Sequence, residues 1–113
     1  MPRCHCKSPP GGGIECNGNQ MAVCRVLNGR CESQCIDVPV AVLRQMRISG
    51  FNHTLVMDWL AGALGVERRK GFATSPTLKV LPDGTGYFYR ANFKDLIRFS
   101  LSETVANEKL GSD

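Results

Sequence analysis

The sequence predicts an α+β fold: a small cysteine-rich β-hairpin module, then two helices, a second β-hairpin and a C-terminal helix. Three observations carry this. All six cysteines fall between Cys4 and Cys35 in the pattern C-x-C-x9-C-x7-C-x6-C-x3-C, and the remainder has none. The sole Trp and every Phe and Tyr lie beyond residue 36. Between those two regions the apolar pattern passes from strand-like to helical spacing, and it passes back near residue 77. The chain therefore divides into residues 1–36, a cysteine-rich metal-binding module, and residues 37–113, a small α+β domain. A domain that small has a core supplying only about 3 to 5 kcal/mol, so a covalent or metal staple is expected.

Taken in order, residues 7–13 read Lys-Ser-Pro-Pro-Gly-Gly-Gly, a loop that separates the first cysteine pair from the rest. Residues 20–27 and 30–35 form a hairpin, because Asn28-Gly29 between β-prone segments is the strongest short hairpin signal. Asp37 is the expected N-cap of the first helix, with Pro39 in its first turn and Gly50 as its stop. Val42, Leu43 and Met46 make its apolar stripe, and Arg44 and Arg47 lie on another face. The second helix begins near Asn52 or Thr54 and carries Val56, Trp59, Leu60, Ala63 and Leu64 up to Gly65, so it should be the more buried of the two. Residues 66–76 are a loop. Thr77 to Leu81 and Gly86 to Ala91 are strands joined by Pro82-Asp83-Gly84. Asn92 is the expected cap of a third helix, with Asp95 in its first turn and Phe93, Leu96, Ile97, Leu101 and Val105 along one face.

The cysteine cluster reads first as a structural zinc site. Zinc takes four thiolate or imidazole ligands in a tetrahedron, and ligands usually arrive as close pairs from one peptide segment. Cys4 with Cys6, and Cys31 with Cys35, are such pairs and form the expected set. Cys16 and Cys24 are alternative or additional ligands, which allows one zinc or a two-zinc cluster, and His5 is a further candidate. Three disulfides are the competing arrangement, since six is an even number and residues 1–36 are poor in large apolar side chains. An iron–sulfur cluster is less favoured, because neither common ferredoxin spacing occurs. Met1 is followed by Pro2, Arg3 and Cys4 with no apolar run of about 7 to 15 residues, and no run near 18 residues follows. These features predict a cytoplasmic protein with reduced thiols and no membrane span.

The expected function is binding rather than catalysis: a small zinc-containing interaction or assembly protein whose partner is another protein. No nucleophile–base pair or phosphate-binding glycine loop is visible, so neither an enzyme nor a small-molecule substrate is predicted. DNA or RNA is the alternative partner. The order helix, helix, hairpin is that of a winged helix, and Arg44, Arg47, Arg68, Arg69 and Lys70 are candidate backbone contacts. Tyr87 and Tyr89 share one strand face and, with Lys79 opposite, make a candidate stacking surface. The basic excess is mild, 14 Lys and Arg against 10 Asp and Glu. The second helix offers only Asp58 as a charge between Leu55 and Leu64, which leaves it little with which to read bases. A secreted, disulfide-stabilised binding domain is the second alternative.

Overall fold

Two alternating faces of one interior strand, Gln20–Leu27, set the architecture. Met21 and Val23 point to one side and Ala22 and Cys24 to the other, and all four are buried, so this strand must be covered on both faces. The computed structural model, which describes residues 1–6, 12–65, 78–90 and 95–108, covers it with helices on one side and a second sheet on the other. The elements are β1 (Arg3–Cys6), β2 (Gly12–Glu15), β3 (Gln20–Leu27), β4 (Arg30–Asp37), α1 (Val40–Ser49), α2 (Thr54–Ala63), β5 (Leu78–Val80), β6 (Thr85–Arg90), β7 (Asp95–Ser100) and β8 (Val105–Glu108). Strands β4-β3-β7-β6-β5 form an antiparallel sheet, and β2-β1-β8 form a smaller one in which β1 and β8 run parallel. The chain is thus mixed α+β and richer in strand than expected. Strands from residues 1–36 pair with strands from residues 37–113 in both sheets, β3 with β7 and β1 with β8.

Local chemistry explains the elements read from sequence. The β3–β4 hairpin turns at Asn28 and Gly29, whose φ values of 52° and 75° are the left-handed pair a two-residue turn requires. Its register pairs Leu27 with Arg30 and runs on to Gln20 with Asp37. That extended pairing moves the helix start. Asp37 stays in the strand and accepts a hydrogen bond from Gln20 Nε2 at 2.9 Å, so Pro39, not Asp37, occupies the N-cap of α1. His53 caps α2, its Nδ1 accepting from the Leu55 N–H at 3.1 Å.

From β7 into β8 the structure overturns the expected third helix. Asn92 and Phe93 lie outside the described residues, but Asp95–Ser100 is a strand inserted between β3 and β6. The residues have two readable periods. Leu96, Ile97 and Leu101 fit a helix, while Ile97, Phe99 and Leu101 alternate, and these last three are the buried ones. Pairing decides for the strand, because without β7 both β3 and β6 would keep an open edge. Residues 12 and 13, expected in a loop, form half of edge strand β2.

The main core lies between the large sheet and the helices. Val42 and Met46 from α1, and Val56, Met57, Leu60 and Ala61 from α2, pack on Met21, Val23, Ile97 and Phe99. On the opposite face a second cluster joins the cysteines to Ala22 and Ala106, with Ile14 and Val26 at its margin. Among the described residues it contains no aromatic side chain. Among the described residues no helix is long and apolar enough to cross a membrane.

Candidate functional site

Alternation places the sulfurs. On β1 Arg3 and His5 face solvent while Cys4 and Cys6 are buried against the large sheet. On the hairpin, Cys24 of β3 pairs with Ser33, between Cys31 and Cys35 of β4, so all three share the face that meets β1 and β2. Cys16 follows β2 directly and is held by its N–H donating to the Pro2 carbonyl at 2.8 Å.

Each sulfur of the small layer then stands over one of the hairpin. Cys4 bonds Cys24, Cys6 bonds Cys31 and Cys16 bonds Cys35, with Cα separations of 5.8, 5.7 and 5.6 Å, all within the ordinary range for a disulfide. No free cysteine is left. This corrects the zinc and iron–sulfur expectation. Metal ligation needs thiolates, and here every sulfur is oxidised and bonded to another. The expected ligand set Cys4, Cys6, Cys31, Cys35 contains only one bonded pair, and the alternative ligands Cys16 and Cys24 hold the other two bonds. His5 lies on the outer face of β1, away from the sulfurs. Among the described residues no three His, Cys, Asp or Glu side chains gather as a metal site.

The other sequence-nominated residues fall on two sides of the molecule. Arg44 and Arg47 are exposed on α1, which packs on the helix side of the large sheet. Arg68, Arg69 and Lys70 lie outside the described residues. Tyr87 and Tyr89 are on the other side, on β6. Register pairs Tyr87 with both Lys79 of β5 and Arg98 of β7, so these residues share one face with Leu96, which pairs with Tyr89. The Arg98 guanidinium carbon sits 5.1 Å from the Tyr87 ring centroid, within cation–π range. Tyr89 is 42 % exposed and Lys79 is exposed. The sequence does not reveal Arg98 as part of this face, because helical spacing over its segment turns it away from the tyrosines, whereas the β6–β7 register brings it beside Tyr87.

Among the described residues, two further cavities open elsewhere. One, of about 330 Å³, lies between the end of α2 and strands β3, β4 and β7, lined by Val23, Arg25, Glu32, Gln34, Leu64 and Ile97. Arg25 and Glu32 pair across its floor at 3.2 Å. The other lies along β1 and β2, lined by Arg3, His5, Gly13, Ile14 and Glu15. Comparison with protein-family models, with curated proteins and with solved structures returns no match, so geometry alone carries the functional reading.

Proposed function

We propose that this chain is an extracellular, disulfide-stabilised binding domain. One observation carries the reading: three cross-links, of which Cys4–Cys24 is fully buried, fasten the small layer to the same two strands, around a cluster made mainly of cysteine and alanine. Disulfides persist in oxidising compartments and are reduced in the cytosol, which favours a secreted setting over the cytoplasmic one. Each bond is worth about 2 to 4 kcal/mol, enough together to hold a layer that burial alone would not.

The binding role follows from what the reactive groups are occupied with. The cysteines are cross-linked, and His53 is a helix cap. What the fold leaves outward includes exposed strand positions such as His5, Lys79 and Tyr89, held on a cross-linked scaffold. The test is the intact mass of protein purified without reductant. Three disulfides give a mass about 6 Da below the fully reduced chain and no alkylation in denaturant. Six alkylatable thiols in the folded, purified protein would overturn the proposal.

A further inference from the structure

We infer that β4 is a self-association edge, on which a second copy of this chain pairs its own β4 antiparallel about a two-fold axis at Ser33. The partner so named rests on the cross-linked binding domain proposed above, since Cys6–Cys31 and Cys16–Cys35 hold β4 in place.

β4 is the outermost strand of the large sheet on one side, and β5 on the other. A bare sheet edge presents unpaired N–H and C=O groups to any strand that can match them, and natural edges are commonly blunted by shortness, proline, lysine or a bulge. β5 has three residues, and Pro82 follows close behind it. β4 has eight, without proline or lysine, and its pairing with β3 runs unbroken from Leu27–Arg30 to Gln20–Asp37. Among the described residues no strand lies beside its outer edge. Glu32, Ser33 and Gln34, at its middle, are all exposed.

The turn fixes which groups face out. Leu27 and Arg30 flank a two-residue turn and so exchange both their backbone bonds, and the pairs alternate from there. Arg30, Glu32, Gln34 and Ile36 therefore bond to β3, while Cys31, Ser33 and Cys35 turn their N–H and C=O groups outward. With the axis at Ser33, the two copies of Ser33 exchange bonds, and Cys31 does so with the partner's Cys35. Glu32 then stands beside the partner's Gln34, a carboxylate opposite an amide. An axis moved one residue toward the turn sets Glu32 against itself, and like charges directly opposite are unfavourable. An axis moved one residue the other way sets Glu32 against the partner's Ile36. Within each copy Arg25 holds Glu32 at 3.2 Å, so the edge carries little bare charge to repel its twin. Cys31 and Cys35 are cross-linked on either side of Ser33, which pre-forms the edge and lowers the ordering cost of association. Because each copy uses the same strand, the contact closes at two.

The experiment is analytical ultracentrifugation of the oxidised full chain over concentrations from micromolar to millimolar. A reversible monomer–dimer equilibrium is expected. Ser33→Pro removes an outward N–H and no bond to β3, and should weaken the dimer about tenfold or more. Gln34→Lys places a cation beside Glu32 twice across the axis and should tighten the dimer several-fold at low salt, while Gln34→Glu should weaken it to a similar extent. Gln34 is exposed and these two changes leave the backbone intact, so the test stands whether or not the proline variant folds, which its amide spectrum decides. A monomer at every concentration overturns the inference, as does assembly past the dimer, a dimer unmoved by both Gln34 changes, or one unmoved by Ser33→Pro in its folded form. The disulfides are read separately from the intact mass, so failure of the dimer and failure of the cross-linked domain are distinguishable.

Discussion

Gly86 is the residue on which the close packing of the large sheet turns. A Cβ built there would collide with the Lys79 carbonyl and the Phe99 ring, and Phe99 is completely buried. Neither neighbour has room to retreat. Gly86→Ala should therefore destabilise the fold by about 1 to 3 kcal/mol, read as a shift in denaturant midpoint at unchanged slope; a neutral result would mean that the strand relaxes there. A second residue-scale prediction concerns acid. Thr85 donates to the Asp83 carboxylate from its hydroxyl at 2.7 Å and from its N–H at 2.9 Å, and these bonds hold the Asp83 pKa below its ordinary value of 3.8. A carboxylate lowered on folding stabilises the native state above its unfolded pKa, and that contribution is lost as pH falls through the lowered folded value. Thr85→Val should move the Asp83 titration, followed by NMR, upward toward 3.8. An unmoved midpoint would remove the Thr85 hydroxyl hydrogen bond as the cause.

At the scale of elements, burial ranks the disulfides. Cys4 and Cys24 are both fully buried, whereas Cys31 and Cys35 are only half-buried on edge strand β4. Exchange requires access of the attacking thiolate to sulfur. Limited reduction followed by alkylation and peptide mapping should therefore open Cys6–Cys31 and Cys16–Cys35 before Cys4–Cys24; early labelling of Cys4 would contradict the layered arrangement. The same scale shows what the sequence carries. The β3–β4 hairpin, both helices and the β5–β6 hairpin are legible because each is marked by local chemistry: Asn28-Gly29, Gly50, Gly65 and Pro82-Asp83-Gly84. β7 is not, because its residues satisfy two periods and only the open edges of β3 and β6 choose between them. β1 is too short to declare itself, although its alternation of Arg3 and His5 with Cys4 and Cys6 was visible. Sulfur pairing is illegible for the same reason. It depends on which strand lies over which, and close sequence neighbours such as Cys4 and Cys6 end up on different partners. The face with Tyr87 and Tyr89 was half legible: its tyrosines could be placed from alternation, its Arg98 only once β7 was a strand.

For the whole molecule, the small sheet joins β1 and β2 to β8, and Cys4–Cys24 fastens its middle strand to interior strand β3 of the large sheet. Replacing both Cys4 and Cys24 by Ala should cost about 2 to 5 kcal/mol. The loss should exceed that for Cys16 with Cys35, measured by thermal unfolding of each double variant; equal losses would show that the bonds act only by restricting the unfolded chain, since their sequence separations, 20 and 19, are nearly the same. The bond order has one more consequence. Each of the first three cysteines joins the corresponding one of the last three, so every peptide bond between Cys4 and Cys35 is spanned by at least one disulfide. A protease that nicks this third of the chain once cannot release a fragment. The severed pieces stay tethered until a reductant arrives, and in an oxidising medium the nicked domain keeps both halves of its scaffold together.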